Sequence, residues 1–268
     1  MIKVVILTGS EIRHEYFRKK IACDSRIEVL ASFCEGVEKS LENRVRQNSE
    51  SSILELQHIE ARSQAERDFF SDFLACVDDK SKPHFIAKGE INNSHIVNDI
   101  INLNPDLLVC YGSSIIKSDL LQKFNGRFLN VHLGLSPYYR GSGTNVWPLI
   151  NNELGMVGAT FMYIDAGIDT GEIIHQIRAD IVIGDSPHSI GNRLIKKMTK
   201  IYADVMAKFD FLERPQQPSA EGKLYYQKDF DHKSCRKLYE NLESGIIEKY
   251  LSSNIELPYI VNNRALQE

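Results

Sequence analysis

The sequence predicts an α/β protein: a Rossmann-like, doubly wound and mostly parallel sheet with a short C-terminal extension. Two nearly uninterrupted apolar runs, Lys3 to Thr8 and Leu107 to Tyr111, read as strands buried on both faces. Between them apolar residues recur at helical spacing, the strand–helix alternation of a parallel sheet. Each run stops at small polar turn residues, Gly9-Ser10 and Gly112-Ser113-Ser114. In open sheets of this kind ligands bind beyond the carboxyl ends of the strands, which singles out those loops.

Along the chain, the first strand leads through the Gly9-Ser10 turn into a helix carrying Ile12, Tyr16, Phe17 and Ile21. Arg26 to Phe33 predicts the second strand. Glu38 to Ser52 is polar and predicts an exposed insertion. Ser63-x-x-Glu66 has the form of a capping box, and the helix after it shows Ala65, Phe69, Phe70, Phe73, Leu74 and Val77 on one face. That phenylalanine stripe faces either the core or a subunit contact in a homodimer. His84 to Ala87 predicts a third strand, and Ser94 to Leu103 a helix ending before Pro105. After Leu107 to Tyr111, strands are expected at Phe128 to His132, Gly158 to Ile164 and Glu172 to Ile183. Asp185-Ser186-Pro187 opens a long helix bearing Ile190, Leu194, Met198, Ile201, Val205 and Phe209. The loop-like Arg214-Pro215-Gln216-Gln217-Pro218 divides the chain into residues 1–212 and an extension, 213–268, too small to be a well-stabilised domain by itself.

Composition narrows the function. The 268 residues are 43% hydrophobic and 25% charged, which excludes collagen-like, low-complexity and disordered classes. With 32 basic and 36 acidic residues the net charge is −4, and no basic block suggests a nucleic-acid surface. No apolar run approaches the length of roughly 18 residues needed to span a membrane. The first strand begins at once, with no cleavage region of a signal peptide, so a cytoplasmic location is expected. Five scattered cysteines form no C-x-x-C pair, so neither disulfides nor a metal site is expected.

Polar and turn residues concentrate in two clusters, Asn130 to Gly143 and Asp165 to Gly171. Asn130 and His132 are two residues apart on one strand and therefore share a face. The second cluster packs Asp165, Gly167, Asp169 and Gly171 into a tight loop able to bring a carboxylate beside the strand end. No serine or cysteine is placed with His132 as a nucleophile. An amide, an imidazole and a carboxylate suit direct transfer of an acyl group to an external amine. The first two would hold the oxyanion of a tetrahedral intermediate, and the third would help remove the amine proton.

Asn130-x-His132, the loop Leu135-Ser136-Pro137-x-Tyr139-Arg140-Gly141 and Asp165-x-Gly167-Ile168-Asp169-Thr170-Gly171 resemble the 10-formyltetrahydrofolate-dependent formyltransferases. That family includes enzymes acting on glycinamide ribonucleotide, on methionyl-tRNA and on amino sugars. The resemblance extends over roughly 1–210 and is most specific over about 105–175. It implies the formyltransferase fold, N10-formyltetrahydrofolate as co-substrate and no metal. It implies that Asn130 binds the formyl oxygen, His132 stabilises the oxyanion, and Asp169 pairs with His132. The pterin ring would be held mainly by main-chain groups of two loops: Tyr111, Gly112, Ser113, Ser114, Ile115 and Ile116, and Asp165, Ala166, Gly167 and Ile168.

The acceptor is approached by elimination. The first loop, Gly9 to His14, has one glycine and an acidic residue, unlike the phosphate loop of the ribonucleotide enzymes. The short tail and slightly acidic charge disfavour tRNA. A nucleotide-linked amino sugar remains, with Ser10, Arg13, Tyr139, Arg140 and Trp147 as candidate contacts. Trp147 is more readily expected to be a helix residue packed on the sheet, and Arg140 is equally expected to fold its own loop. Three alternatives stay open: another small amine, hydrolysis with water as acceptor, and a non-catalytic folate- or nucleotide-binding module. The other histidines, among them His14, His58 and His188, lack metal-like spacing and read as structural or exposed.

Overall fold

The computed structural model of the chain describes residues 1–38 and 40–266. A seven-stranded sheet runs β3-β2-β1-β4-β5-β7-β8. Its strands are β1 (Ile2–Gly9), β2 (Ile27–Glu35), β3 (Pro83–Ile86), β4 (Leu107–Tyr111), β5 (Phe128–His132), β7 (Gly158–Tyr163) and β8 (Ile173–Arg178). The first five run parallel to one another, and β7 runs antiparallel to both of its neighbours, β5 and β8. The chain leaves β1 toward β2 and β3, then returns to place β4 on the other side of β1. That reversal opens a crevice between the loops following β1 and β4, the position where doubly wound sheets take ligands.

Alternate residues of the strands feed two separate cores. Val4, Ile6, Val109 and Val131 face α1 (Ile12–Ala22), α3 (Ile53–Cys76) and α7 (Pro187–Ala207), while Val5, Leu7, Leu108 and Phe128 face α4 (Ser94–Asn102) and α5 (Ser118–Lys123). Residues on both faces are apolar because both faces are covered. Among the described residues, no helix is long and apolar enough to cross a membrane.

Three expectations are corrected. The stretch 38–52 is not simply exposed: it holds α2 (Leu41–Gln47), started by the Ser40 side chain accepting from the Asn43 N–H, and Val45 is buried. The long helix begins eleven residues before Ser63, at a reciprocal box in which Ser52 and Glu55 each accept the other's backbone N–H. Ser63 and Glu66 sit inside that helix, where Ser63 donates to Glu42 and Glu66 receives Arg13. The last strand also stops early, at Arg178, so Val182 and Ile183 are exposed loop residues.

The C-terminal extension covers the loop that follows β5. Its strand β9 (Lys223–Tyr225) pairs in parallel with β6 (Tyr139–Gly141). Its helix α8 (His232–Glu243) abuts α6 (Trp147–Ile150), where Asn241 Nδ2 donates to the Leu149 and Ile150 carbonyls. A last short helix, α9 (Ile246–Ser252), precedes a segment whose Val261 N–H donates to Gln176 on β8.

Candidate active site

Asn130 and His132 lie on β5, the last of the parallel strands, and both face the cleft beyond its carboxyl end. The backbone beneath them is held by a buried network. Thr160 Oγ1 donates to the Gly134 carbonyl at 2.7 Å and accepts from the Ser136 N–H at 3.0 Å and from Gln176 Nε2 at 2.9 Å. Gln176 Nε2 also donates to the Ser136 carbonyl, and the following Ser136-Pro137 peptide bond is cis.

Asp169 reaches this strand from the loop between β7 and β8. It adopts a left-handed backbone conformation (φ +52°), which aspartate tolerates better than most residues. Gly171 allows the loop to close, because a Cβ there would lie 1.7 Å from the Tyr163 carbonyl oxygen. So held, Asp169 Oδ2 lies 3.2 Å from His132 Nδ1 and accepts the Gly141 N–H at 2.9 Å, and Oδ1 lies 3.4 Å from Asn130 Nδ2. His132 Nε2 is 2.9 Å from the Tyr139 carbonyl. Both ring nitrogens thus face oxygen atoms of the protein, which fixes the plane of the ring. Strained backbone that brings functional side chains together is a recurrent feature of active sites.

The cleft has a volume of about 640 Å³, within the range of small-molecule sites. Nine of the ten residues expected to cradle the donor line it: Tyr111 to Ile116, Asp165, Gly167 and Ile168, with Ala166 outside. Ser10 and Arg13 also line it. Tyr139 and Trp147 do not, since the extension covers them. Tyr225 stacks on Trp147 with ring centroids 4.5 Å apart and on Tyr139 at 5.7 Å. The Tyr139 hydroxyl is taken by Glu153 and Asn151, and the Trp147 N–H donates to the Ser142 carbonyl. Arg140 stands on β6, outside the cleft lining, with a buried Nε that lacks a partner among the described residues.

Several residues of the site escaped the sequence reading. Glu35, fully buried at the end of β2, accepts from Lys88 Nζ (3.1 Å), the Gly89 N–H (2.8 Å) and the Ser114 N–H (2.5 Å), and so pins the loop after β4. A charged residue closing the apolar-rich end of a strand just before a glycine was the available signal. His14, His58 and His188, expected to be structural or exposed, are buried and all line the cleft. His14 fills the crevice floor between Gly9 and Gly112, where a Cβ on either glycine would come within 2.6 Å or 2.4 Å of its ring. Burial pushes the His58 ring down to about 4 and His188 down to about 3, and pushes His14 well below the usual histidine range. Glu11 and Glu66 clamp Arg13 between them. Burial works against the Glu11 charge, but Arg13, joined by His14 and Arg62, outweighs it and holds the carboxyl down at about 2.

Similarity to known proteins follows the same outline. Residues 60–206, more than half of the chain, match the formyl transferase family. A methionyl-tRNA formyltransferase of Citrifermentans bemidjiense is 31% identical over 153 residues, covering 57% of this chain and 45% of that protein. The chain spans between a third and about half the length of the curated relatives it matches. In fold it is similar to a sugar N-formyltransferase from Shewanella (TM-score 0.57, 18% identity, 86% of this chain and 78% of that one). It is likewise similar to phosphoribosylglycinamide formyltransferase from Streptococcus pneumoniae (TM-score 0.52, 17% identity, 78% and 99%). The order of strands, the paired clusters at their carboxyl ends and the matched residues agree: the chain belongs to the formyl transferase family.

Proposed function

We propose that the protein is a cytoplasmic enzyme that moves the formyl group of N10-formyltetrahydrofolate directly to a primary amine, that of a nucleotide-linked amino sugar. The observation that carries this reading is the Asp169 carboxylate within 3.4 Å of both Asn130 and His132, beside the loops that follow β4 and β7. The donor supplies an activated formyl carbon. The Asn130 amide is the donor available to the oxygen as it gains negative charge, and the His132 ring, held between Asp169 and the Tyr139 carbonyl, lies beside it and acts on that charge through its dipole. Asp169 keeps the imidazole oriented and takes up the proton that leaves the amine. Residues 1–212 carry this chemistry, and the extension 213–268 adds Tyr226, Gln227 and Phe230 to the cleft wall.

The donor loops fit a flat, hydrogen-bonding ring. They are rich in glycine and serine, and the rim at Ile115 and Ile168 is apolar. Supporting an amino sugar over a ribonucleotide is Glu11, the N-cap residue of α1, which pairs with Arg13 and puts a negative charge at the helix start, where a bound phosphate would otherwise be welcome. Supporting a small acceptor over tRNA is the net charge of −4.

The test is incubation with N10-formyltetrahydrofolate and a panel holding nucleotide-linked amino sugars, glycinamide ribonucleotide, methionyl-tRNA and no amine, following folate release. Transfer to an amino sugar, lowered about 10²–10³-fold in Asn130→Ala and at least as much in His132→Ala, is expected. Unchanged rates in both variants would overturn the assignment, and formate release without amine would favour hydrolysis.

A further inference from the structure

The cleft wall opposite the donor loops contains polar groups that the protein leaves unused. His188 Nε2 and Asn192 Nδ2, on the first two turns of α7, are buried and have no hydrogen-bond partner among the described residues. Tyr111 Oη on the crevice floor is in the same condition. All three residues are at least nine-tenths buried and all line the cleft. Burying a polar atom without a partner is costly, so three such atoms in one cavity point to a ligand that satisfies them.

The charges at the same wall indicate what that ligand is. The cleft's cations among the described residues are Arg13, Arg62 and Lys88, and each is already held by a carboxylate: Glu11 and Glu66 for Arg13, Glu66 for Arg62, Glu35 for Lys88. No free cation is left there for a phosphate. His188 packs against His58, ring centroids 4.8 Å apart, and His58 Nδ1 is occupied by the Tyr239 hydroxyl. A neutral imidazole offers one donor and one acceptor, and a phenol does the same. These complement hydroxyl groups, which also give and take, better than they complement an anion. Phe230, 5.2 Å from the His58 ring, adds an apolar surface beside them.

Resting on the formyl-transfer reading, we propose that the head of α7 is the specificity site for the acceptor, and that His188 and Asn192 read the uncharged ring hydroxyls of the amino sugar. The sugar, not its phosphates, occupies this wall.

The experiment uses the full chain and two readouts, tetrahydrofolate binding and the binding of a panel of methyl 3-amino- and 4-amino-dideoxyhexosides, with inorganic phosphate as the charged probe. His188→Phe and Asn192→Leu remove the polar atoms while keeping bulk. Expected are a rise of about tenfold or more in the Kd of a hexoside that the wild type binds, unchanged tetrahydrofolate affinity, and a melting temperature equal to or above wild type, because an orphan polar atom has been replaced by carbon. The proposal is overturned if both variants bind the hexoside as wild type does, or if Asn192→Leu lowers the melting temperature by several degrees, which would mark the amide as structural. It is also overturned if the wild type binds tetrahydrofolate and none of the hexosides, or if inorganic phosphate binds and the two variants abolish that binding. A wild type that fails to bind tetrahydrofolate would instead count against the formyl-transfer reading itself.

Discussion

At the end of β5, Asn130, His132 and Asp169 have hydrogen-bonding or ion-pair partners within the protein, on one another or on the backbone of Tyr139 and Gly141. At the head of α7, His188 and Asn192 hold polar atoms with none. Both regions line one cleft, and the difference separates two tasks. Chemistry needs side chains locked before the substrates arrive, so that no reorganisation remains to be done at the moment of reaction. Recognition needs groups whose bonds are made only with the ligand, at some expense of stability in its absence.

The contrast can be sharpened from the donor side. Glu35→Gln keeps the shape of the buried side chain but removes the charge that gathers Lys88, Gly89 and the Ser114 N–H. Charge-assisted bonds of this kind are worth about 1.5–3 kcal/mol. The expected result is a lower melting temperature and a KM for N10-formyltetrahydrofolate raised about tenfold, with little change in acceptor KM. A variant that instead raised the acceptor KM alone would show that the loop after β4 serves the wrong end of the cleft.

A smaller effect tests the acceptor wall through pH. Burial depresses the pKa of His58 to about 4 and of His188 to about 3. Between those values and the unfolded value near 6.5, the unfolded chain binds more protons than the folded one, so stability is lost as pH falls through that window. Each such ring contributes a slope of up to about 1.4 kcal/mol per pH unit. Urea unfolding at pH 7 and pH 5 is expected to show a smaller acid loss for His188→Phe than for the wild type. Parallel profiles would mean that the ring is already solvated.

How much of this was readable beforehand follows from where each signal resides. The strands were legible because continuous β-branched runs such as Val4 to Leu7 have no competing interpretation at that length. The start of α3 was not, because its capping pair, Ser52 and Glu55, lies in a polar stretch, while Ser63 and Glu66 offered an equally good pattern ahead of a clearer apolar stripe. Asn130, His132 and Asp169 were legible because two short clusters hold them. The acceptor wall was not: His58, His188 and Phe230 come from α3, α7 and the extension, and nothing in their spacing announces that they meet. Tyr139 and Trp147 show the opposite case, Trp147 packing as its helix position already favoured. Aromatic residues beside a catalytic motif suggested ligand stacking, but Tyr225 from a distant segment takes that surface.

The most direct test of the central claim is the rate of formyl loss from N10-formyltetrahydrofolate by Asp169→Asn, to the acceptor or, failing one, to water. Asparagine tolerates the left-handed conformation and preserves the size of the side chain, so the loop is expected to stay in place. The account predicts a kcat lower by about 10²–10⁴-fold with donor KM near that of the wild type. A variant as fast as the wild type would show that the carboxylate beside His132 has no part in the reaction.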